Sequence, residues 1–239
     1  MQGIVVANSL TKKFKDVVAV KDITFSFKKK SFNLLIGPNG SGKTTLERLI
    51  VGLYTPTEGS VKIFREEASK ASPSTLARIG YVGENYSLYD NLSVAANLLF
   101  FSKLFGMEKG YAIEKIKELL KMLGADEFLN RKVSELSRGT KQKIAICRAL
   151  LPEPELLVLD EPTAFLDPQS AEELRETLIM RIKEGATVVY ATQRLDELSK
   201  FDANILVLRN GRLIGGGSLD EIVNLINGLN IEIAYLGKI

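Results

Sequence analysis

Histidine is absent from all 239 residues, and so is tryptophan. Without an imidazole, the usual proton carrier near neutral pH and the commonest metal ligand are both excluded. Acid–base and metal chemistry must then rest mainly on carboxylates, amides and hydroxyls. Cysteine is almost absent too. Cys147 stands alone in the apolar run "IAICRALL", so no internal disulfide can form, and a buried thiol in a reducing compartment, the cytoplasm, is expected. No apolar run approaches the ~18 to 20 residues of a membrane span. The start "MQGIVVANSLTKKF" lacks the long apolar segment of a secretory signal, so any membrane link is expected to run through a partner. Excess charge is also small: 32 basic against 29 acidic residues leave a net +3, which makes no electrostatic case for a nucleic-acid surface. No internal repeat, heptad array or long polar linker is visible.

What is present is an ordinary globular composition, 45% hydrophobic and 26% charged. Short β-branched runs at "GIVVAN", "ITFSF", "FNLLIG", "SVKIF" and "RIGYVG" predict strands through the first third. From about Leu92 to Leu151 the period changes to three and four, in "AANLLFFSKLF", "YAIEKIKELLKML" and "KQKIAICRALL", which predicts three or more helices. Strands then alternate with helices: "ELLVLDE", a helix from about Pro168 to Lys183, "ATVVYAT", a short helix at "LDELSK", the strand run "ANILVLRNGRLIGGG" and a helix at "LDEIVNLI". Nearly continuous apolar strands separated by helices predict a parallel sheet covered on both faces, an α/β fold. The helical middle reads as an insertion into it. The tail "NIEIAYLGKI" alternates like an edge strand that covers core.

The segment "LLIGPNGSGKTT" fits G-x-x-x-x-G-K-[ST], directly after a predicted strand and before the helical run "TTLERLIVGL". At average residue frequencies the bare pattern arises by chance in about one chain in a hundred of this length, and the strand and helix flanks make a mere glycine turn rarer still. Gly37, Pro38, Asn39, Gly40, Ser41, Gly42, Lys43, Thr44 and Thr45 are therefore the expected nucleotide-binding residues. Backbone N–H groups curl round phosphates, the helix N-terminus adds its positive end, Lys43 supplies a point charge and Thr44 offers a hydroxyl to Mg²⁺.

Downstream, "LLVLDEP" reads as a buried strand with Asp160 at its carboxyl end and Glu161 one step beyond. Ligands of open α/β sheets sit outside those strand ends, so Asp160 is expected to hold the Mg²⁺ shell and Glu161 to polarise an attacking water. An isolated Asp-Glu-Pro reads equally well as a helix-capping turn; the phosphate loop upstream favours the catalytic reading.

With "LSRGTKQKIAICRALL" beginning 24 residues before Asp160 and "FLDP" following Glu161, the chain resembles the nucleotide-binding subunit of ATP-binding-cassette (ABC) transporters over essentially its full length. The resemblance implies a P-loop NTPase core with a mostly parallel sheet, an N-terminal antiparallel β region and an inserted helical subdomain. The expected boundaries are 1–84 and 134–228 for the core, 85–133 for the insertion and 229–239 for a tail. It implies ATP and Mg²⁺ as cofactors. It also implies head-to-tail closure of two subunits, identical or different, with Ser137, Gly139 and Asp167 contacting the ATP held by the other subunit. Ser137 at a helix start is a sound anion site, and equally a local cap. Phe14 in "LTKKFKDVVAV" falls where the family stacks a tyrosine on adenine; a core phenylalanine is the alternative. Two departures stand out. Glu84, in "IGYVGENYSLYDNLSVAANL", replaces the usual glutamine and is expected near Mg²⁺, and Gln193, in "VYATQR", replaces the usual histidine that contacts the γ-phosphate. Glutamine can donate an N–H to a phosphate but cannot titrate, so an active but slow ATPase is expected, with Glu161, Gln193 and Glu84 at its reactive centre. Gln193 merely ending a strand is the bland alternative.

About fifty residues separate Glu84 from Leu136, enough for a compact helical insertion and too few for the long coiled-coil arms of related DNA-repair ATPases. The resemblance thus implies a membrane-spanning permease subunit as partner, no nucleic acid, and a cytoplasmic position on the inner face of the membrane. Tyr86, Leu88, Tyr89, Leu92 and the run Leu98 to Phe101 are candidate apolar surface for that partner. "EPTAFLDPQS" and "GRLIGGGSLDEI" resemble efflux systems. The alternative class is a soluble ATP-dependent switch acting on another protein or nucleic acid without transport.

Overall fold

A computed structural model describes residues 3–228 of the chain; the tail expected as an edge strand lies outside the described residues. The chain opens on a long hairpin, β1 (Val5–Phe14) and β2 (Val17–Phe27), followed by β3 (Phe32–Ile36), helix α1 (Lys43–Ile50), β4 (Glu58–Ile63), the short β5 (Glu66–Glu67), the one-turn α2 (Pro73–Leu76) and β6 (Ile79–Val82). Helices α3 (Val94–Leu104), α4 (Lys109–Met122) and α5 (Arg138–Leu150) come next. Then β7 (Leu156–Asp160), α6 (Pro168–Lys183), β8 (Thr187–Thr192), β9 (Ala203–Arg209), β10 (Arg212–Gly217) and α7 (Leu219–Gly228) complete the described chain.

Two sheets result. β2-β1-β4-β5 is antiparallel, and β10-β9-β3-β8-β7-β6 is parallel except for its terminal hairpin. Along the parallel strands, side chains alternate between two cores, as a period of two requires. Leu34, Ile36, Leu157, Leu159, Val188 and Tyr190 face α3 to α6. Leu35, Leu156, Val158, Val189 and Ala191 face α1 and the antiparallel sheet, through Leu46, Leu49 and Ile50. Each fully buried Leu, Ile or Val contributes about 1.5–3 kcal/mol, which is why these strands carry almost no polar residues. Buried polar residues sit mainly at strand ends, as Asp160, Thr187 and Thr192 do, and Asn33 is one within β3. It is buried and donates to the Val188 carbonyl at 3.1 Å.

The run 203–217 differs from the single strand run expected. Asn210 and Gly211 both have positive φ, 49° and 73°, and Arg209 pairs with Arg212 across them. An Asn-Gly pair in that conformation is the favoured two-residue hairpin turn, so the run folds back on itself. The helical middle shares its core with the sheet rather than standing apart: Val94, Leu98, Ile116 and Leu120 join Ile144 and Leu157 in one apolar cluster.

Strand order decides where chemistry can gather. β3, β8 and β7 are adjacent and parallel, so the segments leaving their carboxyl ends, those of Lys43, Gln193 and Glu161, emerge side by side. That edge is where open α/β sheets bind ligands.

Candidate nucleotide site

The loop between β3 and α1 is shaped by backbone that only glycine accepts. Gly42 precedes the first helical residue at φ 105°, and a Cβ there would lie 2.5 Å from the Ala19 carbonyl oxygen. With no side chain in the way, the first N–H groups of α1 stay open to the loop. Lys43 folds back over it, its Nζ donating to the carbonyls of Gly37 at 2.7 Å and Pro38 at 3.3 Å. Burial lowers its pKa from the ordinary lysine value, against the opposing pull of Glu161, Asp160 and Glu47. Thr44 donates its hydroxyl to Asp160 Oδ2 at 2.7 Å. A hydroxyl and a carboxylate meeting this way are the hard oxygen ligands that Mg²⁺ prefers, and the pair fits that ion.

Glu161 leaves β7 at φ 44°, a left-handed turn that carries its side chain across to the end of β8. Its Oε2 accepts from Thr192 Oγ1 at 2.8 Å and its Oε1 from the Gln193 main-chain N–H at 2.7 Å. Burial raises the carboxyl above its usual range, and these two bonds oppose the rise. A cavity of about 780 Å³ is lined by Asn39, Gly40, Gly42, Lys43, Thr44, Thr45, Glu84, Asp160, Glu161 and Gln193. Gly37, Pro38 and Ser41 support the loop from behind the lining.

Phe14 and the residues expected to act on a second subunit's nucleotide lie off this lining. Phe14 is outside the lining; its ring stands edge-on to Tyr54 at 5.2 Å, with the Lys12 ammonium 5.0 Å from its centroid. The cavity wall nearest that hairpin is made by Val17 and Val18, which are solvent-exposed. Ser137, Gly139 and Asp167 also lie off the lining, on a second patch. There Ser137 Oγ accepts from the Thr140 N–H at 3.1 Å, Asp167 caps α6 through the Ser170 N–H at 2.9 Å, and a Cβ on Gly139 would sit 2.5 Å from the Phe165 carbonyl oxygen. Gln193 meets Glu161 through its backbone, leaving its amide side chain exposed on the cavity wall.

Sequence reasoning missed Gln142, Phe165, Asn210 and Gly211, which also line the cavity. It also missed Glu47. One helical turn beyond Lys43, Glu47 is fully buried, and neither carboxyl oxygen has a hydrogen-bond partner among the described residues. Burial first, and Asp160 beside it, push this carboxyl well above its usual range. Because the folded state holds the proton more tightly than the unfolded chain, the stabilisation is full at low pH and is lost as pH rises above the unfolded value of about 4.3. Glu47→Gln, which carries no such proton, is therefore expected to gain on the wild type by up to about 1.4 kcal/mol per pH unit above that point. Denaturation midpoints of both proteins from pH 5 to pH 9 check this, and parallel curves would refute it.

Among relatives, the probable multidrug ABC transporter ATP-binding protein YbhF of Escherichia coli is 34% identical over 92% of this chain. The spermidine/putrescine import ATP-binding protein PotA of Bacteroides fragilis is 36% identical over 93%. The chain spans 38% of the length of the first and 48% of the second. Its structure matches that of an ATP-binding subunit of an ABC transporter with a TM-score of 0.86 at 26% identity, covering 97% of this chain and 99% of that one. It matches a dimeric, post-hydrolysis state of the ATP-binding cassette MJ0796 bound to ADP and Pi with a TM-score of 0.81 at 29% identity, covering 90% and 98%. A family model described as ABC transporter matches residues 20–164. Since that stretch takes in both the glycine loop before Lys43 and the acidic end of β7, and the fold around it is that of solved cassettes, the chain belongs to the ABC transporter family as one of its ATP-binding domains.

Proposed function

We propose that this chain is the ATP-hydrolysing subunit of a membrane transporter, working as a dimer with a second nucleotide-binding subunit. The observation that carries this reading is the convergence of Lys43, Thr44, Asp160 and Glu161 on one cavity at the carboxyl edge of the sheet. Lys43 neutralises the β- and γ-phosphates, and the open N–H groups of the loop cradle them. Thr44 and Asp160 hold Mg²⁺, which when bound offsets the charge of the phosphates. Glu161 takes the proton of the attacking water, its carboxyl already raised by burial toward the range a general base needs. Glu84 faces the same cavity and adds a further oxygen ligand at the metal's side.

Ser137 and Gly139 at the start of α5, with Asp167, act on the ATP held by the other subunit. This is supported by their lying outside the cavity's own lining and by the dimeric cassette bound to ADP and Pi. The permease is met by the aromatic surface of the helical stretch, where Tyr89, Leu92, Phe100 and Leu104 are exposed while Leu98 is core. Tyr89 and Phe100 stand edge-to-face at 5.2 Å, a preformed apolar platform. No helix among the described residues is long and apolar enough to cross a membrane; in this reading the permease holds the chain at the cytoplasmic face. The efflux-like segments favour export. The relatives also include an import protein of comparable identity.

The test is phosphate release with and without Mg²⁺ for wild type, Gln193→His, Gln193→Ala and Glu84→Gln. A Mg²⁺-dependent rate below the enzyme median of about 10 s⁻¹ is expected. Gln193→His should hold or raise it. Loss of a side-chain bond to a charged phosphate in Gln193→Ala should lower it about tenfold, whereas a rate equal to wild type would confine the role of this position to its main chain. Absence of hydrolysis in the wild type under all conditions, permease included, overturns the proposal.

A further inference from the structure

Behind the acidic wall of the cavity lies a polar cluster that lines no part of it. Glu197, on the turn after β8, is fully buried. Arg175 of α6 donates to it from Nε at 3.3 Å and from one Nη at 3.5 Å, while its other Nη reaches Glu172. A chain of hydroxyls ends on the same carboxylate. Thr163 Oγ1 donates to Glu197 Oε1 at 3.0 Å and lies 2.9 Å from the Tyr190 hydroxyl. A carboxylate can only accept, so the threonine hydrogen is committed to Glu197, and Tyr190 must be the donor in the remaining bond. Direction is thereby fixed: Tyr190 to Thr163 to Glu197, closed by the guanidinium of Arg175.

The members come from the loop that bears Glu161, from β8 and the turn after it, and from α6. Thr163 is two residues beyond it on the same loop. Tyr190 stands on β8 two residues before Thr192, and Glu197 follows Gln193 by four. Arg175 belongs to the helix that Asp167 caps. Thr192 and Gln193 are the two donors that hold the Glu161 carboxylate. Burying an ion pair is weak support for stability, since an apolar set of the same shape often serves as well. What this cluster supplies that an apolar one would not is a directional tie between the loop of Glu161, the end of β8 and α6.

We propose that Glu197, with Arg175, Thr163 and Tyr190, is a positioning network for Glu161: it pins the Thr192–Gln193 segment so that its donors keep that carboxylate aimed into the cavity. The inference rests on reading Glu161 as the hydrolytic carboxylate. None of the four residues lines the cavity or needs to touch nucleotide.

The experiment compares wild type, Tyr190→Phe, Glu197→Gln and the double variant by amide hydrogen exchange, ATP affinity and turnover. Glu197→Gln keeps the shape and removes the charge on which the chain ends. It should speed exchange of the Gln193 and Arg194 amides about tenfold with β3 and α1 unchanged, and lower turnover about tenfold with ATP affinity within about twofold. Tyr190→Phe should act in the same direction and more weakly, and the double variant should be no worse than Glu197→Gln alone, because the two changes break one chain. Unchanged exchange at Gln193, an equal rise throughout β3 and α1, or parallel loss of affinity and turnover would each overturn the proposal. Should Glu197→Gln fail to fold, Tyr190→Phe, which removes one hydroxyl, decides by the same local exchange. Should the wild type not hydrolyse ATP, the functional reading fails, while exchange still decides whether the network holds the Gln193 segment.

Discussion

Lys43→Ala is expected to weaken ATP binding at least a hundredfold, about 2.7 kcal/mol or more, while the fold survives. Two losses add. The phosphates lose a charged donor, and the cavity loses the cation that offsets Asp160, Glu161 and Glu47, all of which act on the Lys43 ammonium. With those carboxyls left uncompensated, the site turns from accepting a polyanion to repelling one. The fold survives because, among the described residues, the ammonium bonds only to Gly37 and Pro38 within its own loop, and the core beneath α1 rests on Leu46, Leu49 and Ile50. Calorimetric titration with Mg-ATP, alongside a thermal melt, separates the two effects. Micromolar binding retained by the variant would count against the site as assigned.

Glu161→Gln is expected to do the opposite to occupancy: binding persists and turnover falls by at least about a hundredfold. The amide can take the place of the carboxylate with little distortion. Its oxygen must face the Gln193 N–H, which can only donate, and its NH₂ then faces Thr192 Oγ1, which already accepts from the Arg194 N–H at 3.0 Å. Geometry is thus kept and the proton acceptor is lost. In the dimer reading, ATP that is not cleaved goes on bridging the loop of Lys43 in one subunit and Ser137 in the other. Size-exclusion chromatography with Mg-ATP should accordingly show a stable dimer. A variant that stays monomeric under those conditions removes the role given to Ser137, or requires a different partner subunit.

Local chemistry was legible in the sequence wherever consecutive residues make the structure. The loop before Lys43 and the end of β7 are continuous stretches whose backbone demands are written in their own residues. The nucleotide cavity's remaining wall is not continuous: Val17 and Val18 of β2, Gln142 of α5 and Asn210 of the β9–β10 turn reach it from three separate places in the chain, and only the tertiary fold brings them together. Phe14 was placed by its position in a motif, but the hairpin that bears it turns the ring toward Tyr54. Glu47 was invisible for a different reason. A glutamate between Leu46 and Leu49 reads as the solvent side of an amphipathic helix, whereas the antiparallel sheet and β7 enclose α1 so fully that the residue has no exposed surface. Asn210-Gly211 carried a hairpin signal that a long apolar run concealed.

The turn at Asn210-Gly211 also bears on the order in which the protein is made. Gly211 N–H donates to the Ser41 carbonyl at 3.0 Å, Lys21 N–H donates to the Gly211 carbonyl at 2.7 Å, and the backbone of Ala19 presses on both Gly42 and Gly211. The rear of the phosphate loop is therefore built from residues on either side of it, one set close by and the other about 170 residues later. At a synthesis rate of roughly 5–20 residues per second, the loop waits roughly ten to thirty seconds for its second support to appear. During that interval a nascent chain displays the whole glycine motif with its backing incomplete. The fully backed loop, and with it the complete phosphate cradle, exists only once Gly211 has been synthesised.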